Sequence, residues 1–193
     1  WDGSPLVLRD FLIEGGENSQ FHVVRLNRGY GADGRVTVAP ELVFHAPGWD
    51  QDLLDSIGDS TVSIESSVAM LGDVAYFGNS GGLVQGWDLA PLRTGTGPAT
   101  RVFRFWTGDD TDASVSIDDE GFLYVGSEYE RMTARSAEVG QLTKLDPRRP
   151  DNPVVWSITD TGGDKHGTWS TAGHYEDLII WPTRPGTVYG LDR

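Results

Sequence analysis

The sequence predicts an all-β protein assembled from repeated four-stranded antiparallel units. Three observations predict it. Gly 25 and Pro 10, with 10% aromatic residues, suit short strands divided by tight turns. Short apolar runs recur in sets of four along the chain. The third run of each set closes on a polar residue, Asn27, Asp88, Asp146 or Asp192, whose side chain can accept a nearby backbone N–H and start the next turn. The uneven steps between these residues mean one repeated unit with variable loops. Four antiparallel strands per unit, repeated, is the pattern of β-propeller blades.

Taken in order, the first unit has strands at residues 4–8, 11–16, 21–27 and 40–44. The second has 64–71, 74–78, 83–89 and 101–106. The third has 113–117, 122–126, 141–146 and a fourth strand opening at 154–156. The last has 168–171, 178–181 and 188–192, with no fourth strand. Its end, DLIIWPTRPGTVYGLDR, is the clearest repeat: an apolar run, Pro and Gly breakers, then an alternating run. No stretch sustains a helical period, and no helix is expected between Leu71 and Gly126. Residues 129–139 read as an extended insertion with room for one helical turn.

The chain of 193 residues is read as one domain spanning 1–193, with blades at about 1–48, 63–108, 112–160 and 167–193. About four blades make half a ring. Both ends are read as cuts in a longer protein, so the missing blades come from the rest of that protein or from another copy. There are no cysteines, which excludes disulfides, thiolate metal sites and a Cys nucleophile. The net charge of -14 argues against nucleic acid as a partner. No apolar run is long enough to span a membrane.

Residues 75–78 with Trp87-Asp88, 123–126 with Leu145-Asp146, and 179–181 with Tyr189-Gly-Leu-Asp192 resemble the PQQ-like propeller repeat. That family includes quinoprotein alcohol dehydrogenases and the scaffold lipoprotein of outer-membrane barrel assembly. The resemblance implies seven or eight blades in a closed ring. The family's tight Asp-x-x-Thr-Gly-x-x-x-Trp docking motif is not matched. The stretch from Asp146 to Trp156 is longer and lacks Thr-Gly, and Trp106 lies too far from Thr94-Gly95. The Cys pair that many family enzymes hold over the quinone is absent from this sequence. PQQ and Ca²⁺ therefore enter only under an alternative reading. A WD-repeat propeller is the other fold considered, on Trp87-Asp88 alone.

Candidate chemistry falls on the loops that precede each first strand, residues 48–63, 108–113 and 161–168, which in a propeller point toward the central channel. Asp109, Asp110 and Asp112 offer hard oxygen ligands for a metal such as Ca²⁺, although the spacing is not that of an EF-hand. The plain reading of the three is solvated turn carboxylates. Asp164, Lys165 and His166 put an acid, a cation and a base in one loop beside Trp169. His166 is the sole catalytic candidate and the four together are a ligand-binding candidate. His22, His45 and His174 read as packing or edge residues, Asp118-Asp-Glu-Gly121 as a hairpin turn, and Trp49, Trp106, Trp156, Trp169 and Trp181 mainly as packing between blades. Glu128, Tyr129, Arg131 and Arg135 in the insertion form a candidate partner-binding surface. The reading that results is a non-catalytic binding or scaffold propeller, extracytoplasmic, with a protein or carbohydrate partner. The alternative is a PQQ- and Ca²⁺-dependent oxidoreductase completed by blades outside this chain.

Overall fold

The computed structural model describes residues 3–163 and 165–193. The first sheet opens with β1 (Leu6–Leu8), β2 (Phe11–Gly15) and β3 (Gln20–Arg25). A small hairpin, β4 (Gly29–Tyr30) and β5 (Val36–Thr37), extends the connection to β6 (Glu41–Pro47), and the order is β1-β2-β3-β6. Helix α1 (Gln51–Ile57) leads to the second sheet: β7 (Ala69–Leu71), β8 (Val74–Phe77) and β9 (Leu83–Asp88), then helix α2 (Ala90–Thr94) and β10 (Thr100–Trp106). The third sheet has β11 (Ser116–Ile117) and β12 (Leu123–Gly126). Strand β13 (Glu128–Tyr129) and helix α3 (Ala134–Val139) leave it before β14 (Leu142–Leu145) and β15 (Val154–Ile158) complete it. Strand β16 (His166–Gly167) pairs with β13, and β17 (Gly173–Tyr175), β18 (Leu178–Pro182) and β19 (Val188–Asp192) form a three-stranded fourth sheet.

Every sheet is antiparallel and its strands lie in chain order, the topology of a propeller blade. The two-residue alternation of side chains builds the core between sheets. On β8, Ala75 and Phe77 face the first sheet, where Phe77 stacks on Phe21 at 4.7 Å, while Tyr76 faces the third. On β12, Leu123 and Val125 face the second sheet and Tyr124 the fourth, where it meets Ile179 and Trp181. Each of these large buried side chains contributes about 1.5–3 kcal/mol, and none of that burial exists for a sheet standing alone.

Adjacent sheets dock by a repeated device at the end of the second strand. Gly15, Gly78 and Gly126 lie against Ile64, Thr111 and Thr168, which come from the loop entering the following sheet. A Cβ on those glycines would sit 2.2, 2.5 and 2.5 Å from the neighbour's Cγ2. One residue on, the carbonyls of Gly16, Asn79 and Ser127 accept the N–H of the same Ile64, Thr111 and Thr168 at 3.1, 3.2 and 3.0 Å. Only a residue without a side chain lets the two backbones come that close.

Several expectations are corrected. Residues 48–63 are not a plain loop. Asp50 accepts from Leu53 N at 3.1 Å and caps α1, Gly58 ends it in the left-handed region, and Leu53 and Leu54 are buried. A helix does lie between Leu71 and Gly126, but α2 is a single turn inside the β9–β10 connection. Pro91 starts it, Leu92 anchors it in the first core, and Gly95 ends it. Residues 168–171 are not a strand. Thr168 spends its hydroxyl on Pro182 O, at 2.7 Å, and the first strand of the fourth sheet falls later, at β17. Trp169 is 56% exposed, whereas Trp181 is fully buried. The polar strand ends do start turns at Asp88, which accepts from Ala90 N, and at Asp146, which accepts from Arg148 N. At Asn27 the accepting carboxylate is instead Asp10. Asp118 caps the expected turn, accepting from Glu120 N, Phe122 N and Tyr124 Oη.

The docking device makes a prediction. Gly126→Ala should destabilise the fold by about 1–3 kcal/mol, read by urea unfolding. Adding Thr168→Ser removes the opposing methyl while keeping the hydroxyl bond to Pro182 O, and should restore most of the loss. Equal destabilisation of the single and double variants would disprove the steric account.

Candidate functional site

The short β13–β16 ladder gathers the candidate residues. It sets Glu128 opposite Gly167 and Tyr129 opposite His166, so the insertion after β12 lies against the loop before β17. Glu128 N also donates to Asp110 O at 2.8 Å, which brings in the loop before β11. Residues from three sequence regions thus meet at the end of the sheets where the chain enters β11 and β17.

Asp109 is structural. It is fully buried; its Oδ1 accepts from Arg131 N and its Oδ2 from Met132 N, both at 3.1 Å, and these bonds fix the insertion. The carboxylates that converge are Asp110, Asp112 and Glu128, with one oxygen of each within 4.8 Å of the others. Of the expected trio of Asp109, Asp110 and Asp112, the structure brings the last two together with Glu128, while backbone N–H groups claim Asp109. Asp110 Oδ1 and Asp112 Oδ1 are buried, and neither has a hydrogen-bond partner among the described residues. Burial pushes the Asp110 carboxyl far above its ordinary value, and the like charges of Asp112 and Glu128 push it the same way. Burial raises Glu128 too; the charge of Arg184 and a hydrogen bond from Trp169 oppose that shift. An all-oxygen set of this kind either shares a proton or accepts a hard cation such as Ca²⁺.

Arg184 organises the rim. Its guanidinium pairs with Glu128, lies 3.5 Å from Glu130, and stacks 4.2 Å from the centre of the Trp169 ring. Beside it a cleft of about 250 Å³ is lined by Asp110, Glu130 and Arg131. Arg131 reaches across to Ser80 O at 3.2 Å. Arg184 was not foreseen, because it sits in the β18–β19 turn and only the fold brings it to Glu128. Its sequence signal is a lone cation between two prolines, Pro182 and Pro185.

The remaining candidates stand apart from the cleft. His166 Nδ1 lies 2.7 Å from Asp160 Oδ1, and Asp160 Oδ2 accepts Gly167 N at 3.0 Å, so the pair is oriented and fixes the loop. Asp160, six residues before the histidine, was also missed. Among the described residues no hydroxyl is bonded to the His166 ring. Asp164 lies outside the described residues, and Lys165 is exposed. Arg135 donates to Trp106 O at 3.2 Å and lies over Phe105, which ties it to the second sheet. Tyr129 is half-buried in the ladder. His174 packs edge-on against Tyr124 at 5.0 Å and lies 2.9 Å from Ser116 Oγ.

No protein-family model and no curated protein sequence matches this chain. Solved structures do. BamB from Moraxella catarrhalis aligns with a TM-score of 0.62 at 13% identity, over 99% of this chain and 46% of that one. The quinohemoprotein alcohol dehydrogenase from Comamonas testosteroni aligns with a TM-score of 0.63 at 12% identity, over 98% of this chain and 33% of that one. The computationally designed Ika4 protein aligns with a TM-score of 0.61 at 11% identity, over 100% of this chain and 92% of that one. At these identities the likeness establishes a propeller-like fold and nothing finer. The chain spans less than half the length of the two natural proteins.

The acidic trio predicts a pH dependence. Between the ordinary carboxyl value of 3.8 and the raised folded value, the native state holds a proton that the unfolded chain has released. Stability therefore falls as pH rises, by at most about 1.4 kcal/mol per pH unit for each such proton. Carboxylates that arginines hold low, such as Asp50 beside Arg104, act only below that window. Asp112→Asn removes a like charge and should flatten the slope in thermal unfolding between about pH 5 and pH 8. An unchanged slope would exclude the trio as its source.

Proposed function

We propose that this chain is a non-catalytic binding propeller, exported from the cytoplasm, which presents the Trp169 rim and the neighbouring acidic cleft to a carbohydrate or a protein segment. The observation that carries this reading is the exposed Trp169 ring, held in place by Arg184 beside a cleft lined with Asp110, Glu130 and Arg131. An open aromatic face gives a sugar ring or an apolar side chain a stacking platform. The carboxylates around it supply directional hydrogen-bond acceptors. The groups stand on loops fixed by the β13–β16 ladder and by Asp109, so little ordering cost remains for binding.

The oxygen-only trio favours a second reading, an oxidoreductase using PQQ and Ca²⁺. Asp110, Asp112 and Glu128 fit the donor chemistry of a hard cation. The guanidiniums nearest to them that could meet an anionic cofactor are already engaged, Arg184 with Glu128 and Arg131 with Ser80 O. The quinone therefore has weaker support from these residues than the cation has.

Fluorescence titration with neutral oligosaccharides and with short cationic peptides tests the first reading. One class should quench Trp emission saturably, and Trp169→Ala should weaken that binding at least about tenfold while leaving the unfolding temperature unchanged. Equal binding by the variant would remove Trp169 from the site. Dye reduction on adding PQQ and Ca²⁺ would establish the oxidoreductase instead.

A further inference from the structure

The cleft beside Arg184 is chemically one-sided, and the imbalance selects among the ligands that the Trp169 rim could take. Four carboxyl groups, Asp110, Asp112, Glu128 and Glu130, stand against two guanidiniums, Arg131 and Arg184. Even with one proton shared in the trio, the balance is negative. Arg131 donates to Ser80 O, and Arg184 is held by Glu128, by Glu130 and by the Trp169 ring. What remains for an incoming group is mainly acceptor oxygen, from Asp110 and from Glu130, whose side chain is 62% exposed. Sugar hydroxyls need donors as well as acceptors, whereas a guanidinium or an ammonium only donates.

Arg184 shows how such a cation sits. Its guanidinium stacks 4.2 Å from the centre of the indole while its N–H groups meet carboxylates. It covers one face of the ring. Trp169 is still 56% exposed, which leaves the opposite face open to a second contact of the same kind. The cleft of about 250 Å³ is smaller than the roughly 300–1,000 Å³ of sites that enclose a drug-sized molecule, and it suits one long side chain. Next to Arg131 the insertion presents Met132, 53% exposed, with its backbone in the left-handed region at φ 49°. That conformation is costly for a residue with a side chain, and the fully buried Asp109 holds it through the Met132 N–H. The exposed thioether is an adaptable contact for peptide side chains.

We propose that the partner at this rim is a basic peptide segment. One Lys or Arg side chain enters the cleft between Asp110 and Glu130, and neighbouring residues of the same segment lie on the open face of Trp169 and on Met132. This rests on the binding reading above and narrows it from a carbohydrate or a protein to a protein. The net charge of -14 draws such a segment in from a distance, and the cleft then selects the side chain.

Titration calorimetry on the 193-residue chain tests this with three probes. They are a capped nonapeptide with Arg at every third position and Gly elsewhere, the same peptide with Gln for Arg, and neutral chito- and malto-oligosaccharides. The Arg peptide should bind saturably, and the Gln peptide at least about tenfold more weakly. Glu130→Gln should weaken the Arg peptide about fivefold, and Trp169→Ala at least about tenfold. Glu41→Gln, at an exposed carboxylate on β6, should leave its affinity unchanged. No binding of the Arg peptide overturns the proposal. So does an Arg peptide that loses no more affinity in Glu130→Gln and Trp169→Ala than in Glu41→Gln, since general attraction to an acidic surface then accounts for it. An oligosaccharide that binds through Trp169 where the Arg peptide does not overturns the proposal and leaves the binding reading of the rim in place. Binding by none of the three removes both.

Discussion

The structure depends on one constraint: each thin sheet must bury both of its faces against neighbours that come within backbone contact. Strands β8 and β12 show what this demands. Their side chains point alternately into two different cores, so neither strand has a solvent side. Buried apolar area supplies the attraction, and Gly15, Gly78 and Gly126 set the distance. A larger residue at those positions would hold the sheets apart and loosen every contact in the core behind it. The backbone bonds to Gly16, Asn79 and Ser127 then fix the rotation of one sheet on the next.

The strand pattern was legible because it rests on local chemistry. Alternating aromatic and β-branched residues, with Gly and Asp at the turns, mark β8, β12 and β18 with small errors at their ends. Helices α1 and α2 were missed because they are too short to establish a period. What specifies α1 is its ends, Asp50 and Gly58, together with two buried leucines. Residues 168–171 misled for a different reason. Their Thr and Ser look like strand formers, yet the Thr168 hydroxyl bonds Pro182 O within the fourth unit and the Thr171 hydroxyl accepts Ser114 N from the third.

The site was legible only in pieces. Asp110, Asp112, Glu128, Arg131 and Trp169 had each been singled out, in three separate groups with three separate roles. No sequence rule says that residues 110, 128 and 169 meet. That follows from the order of the sheets and from the two-residue ladder joining β13 to β16. Asp109 shows the converse error. It looks like a ligand beside two other acids, but the backbone N–H groups of Asp110, Arg131 and Met132 occupy its oxygens. Arg184 had only its place between two prolines to mark it, and it is the residue that ties carboxylate and indole together.

One further feature recurs in all three complete sheets. The pairing of the third strand with the outermost one slips register, at Val23/Val24, at Arg101/Phe103 and at Lys144/Leu145. Each slip adds local twist and bends the outermost strand away from a flat line. A warped rim is a poor template for a foreign strand, so lateral fibre growth through the exposed backbone of β6, β10 and β15 is disfavoured. The slipped register thereby guards the circumference of the molecule against amyloid-like stacking.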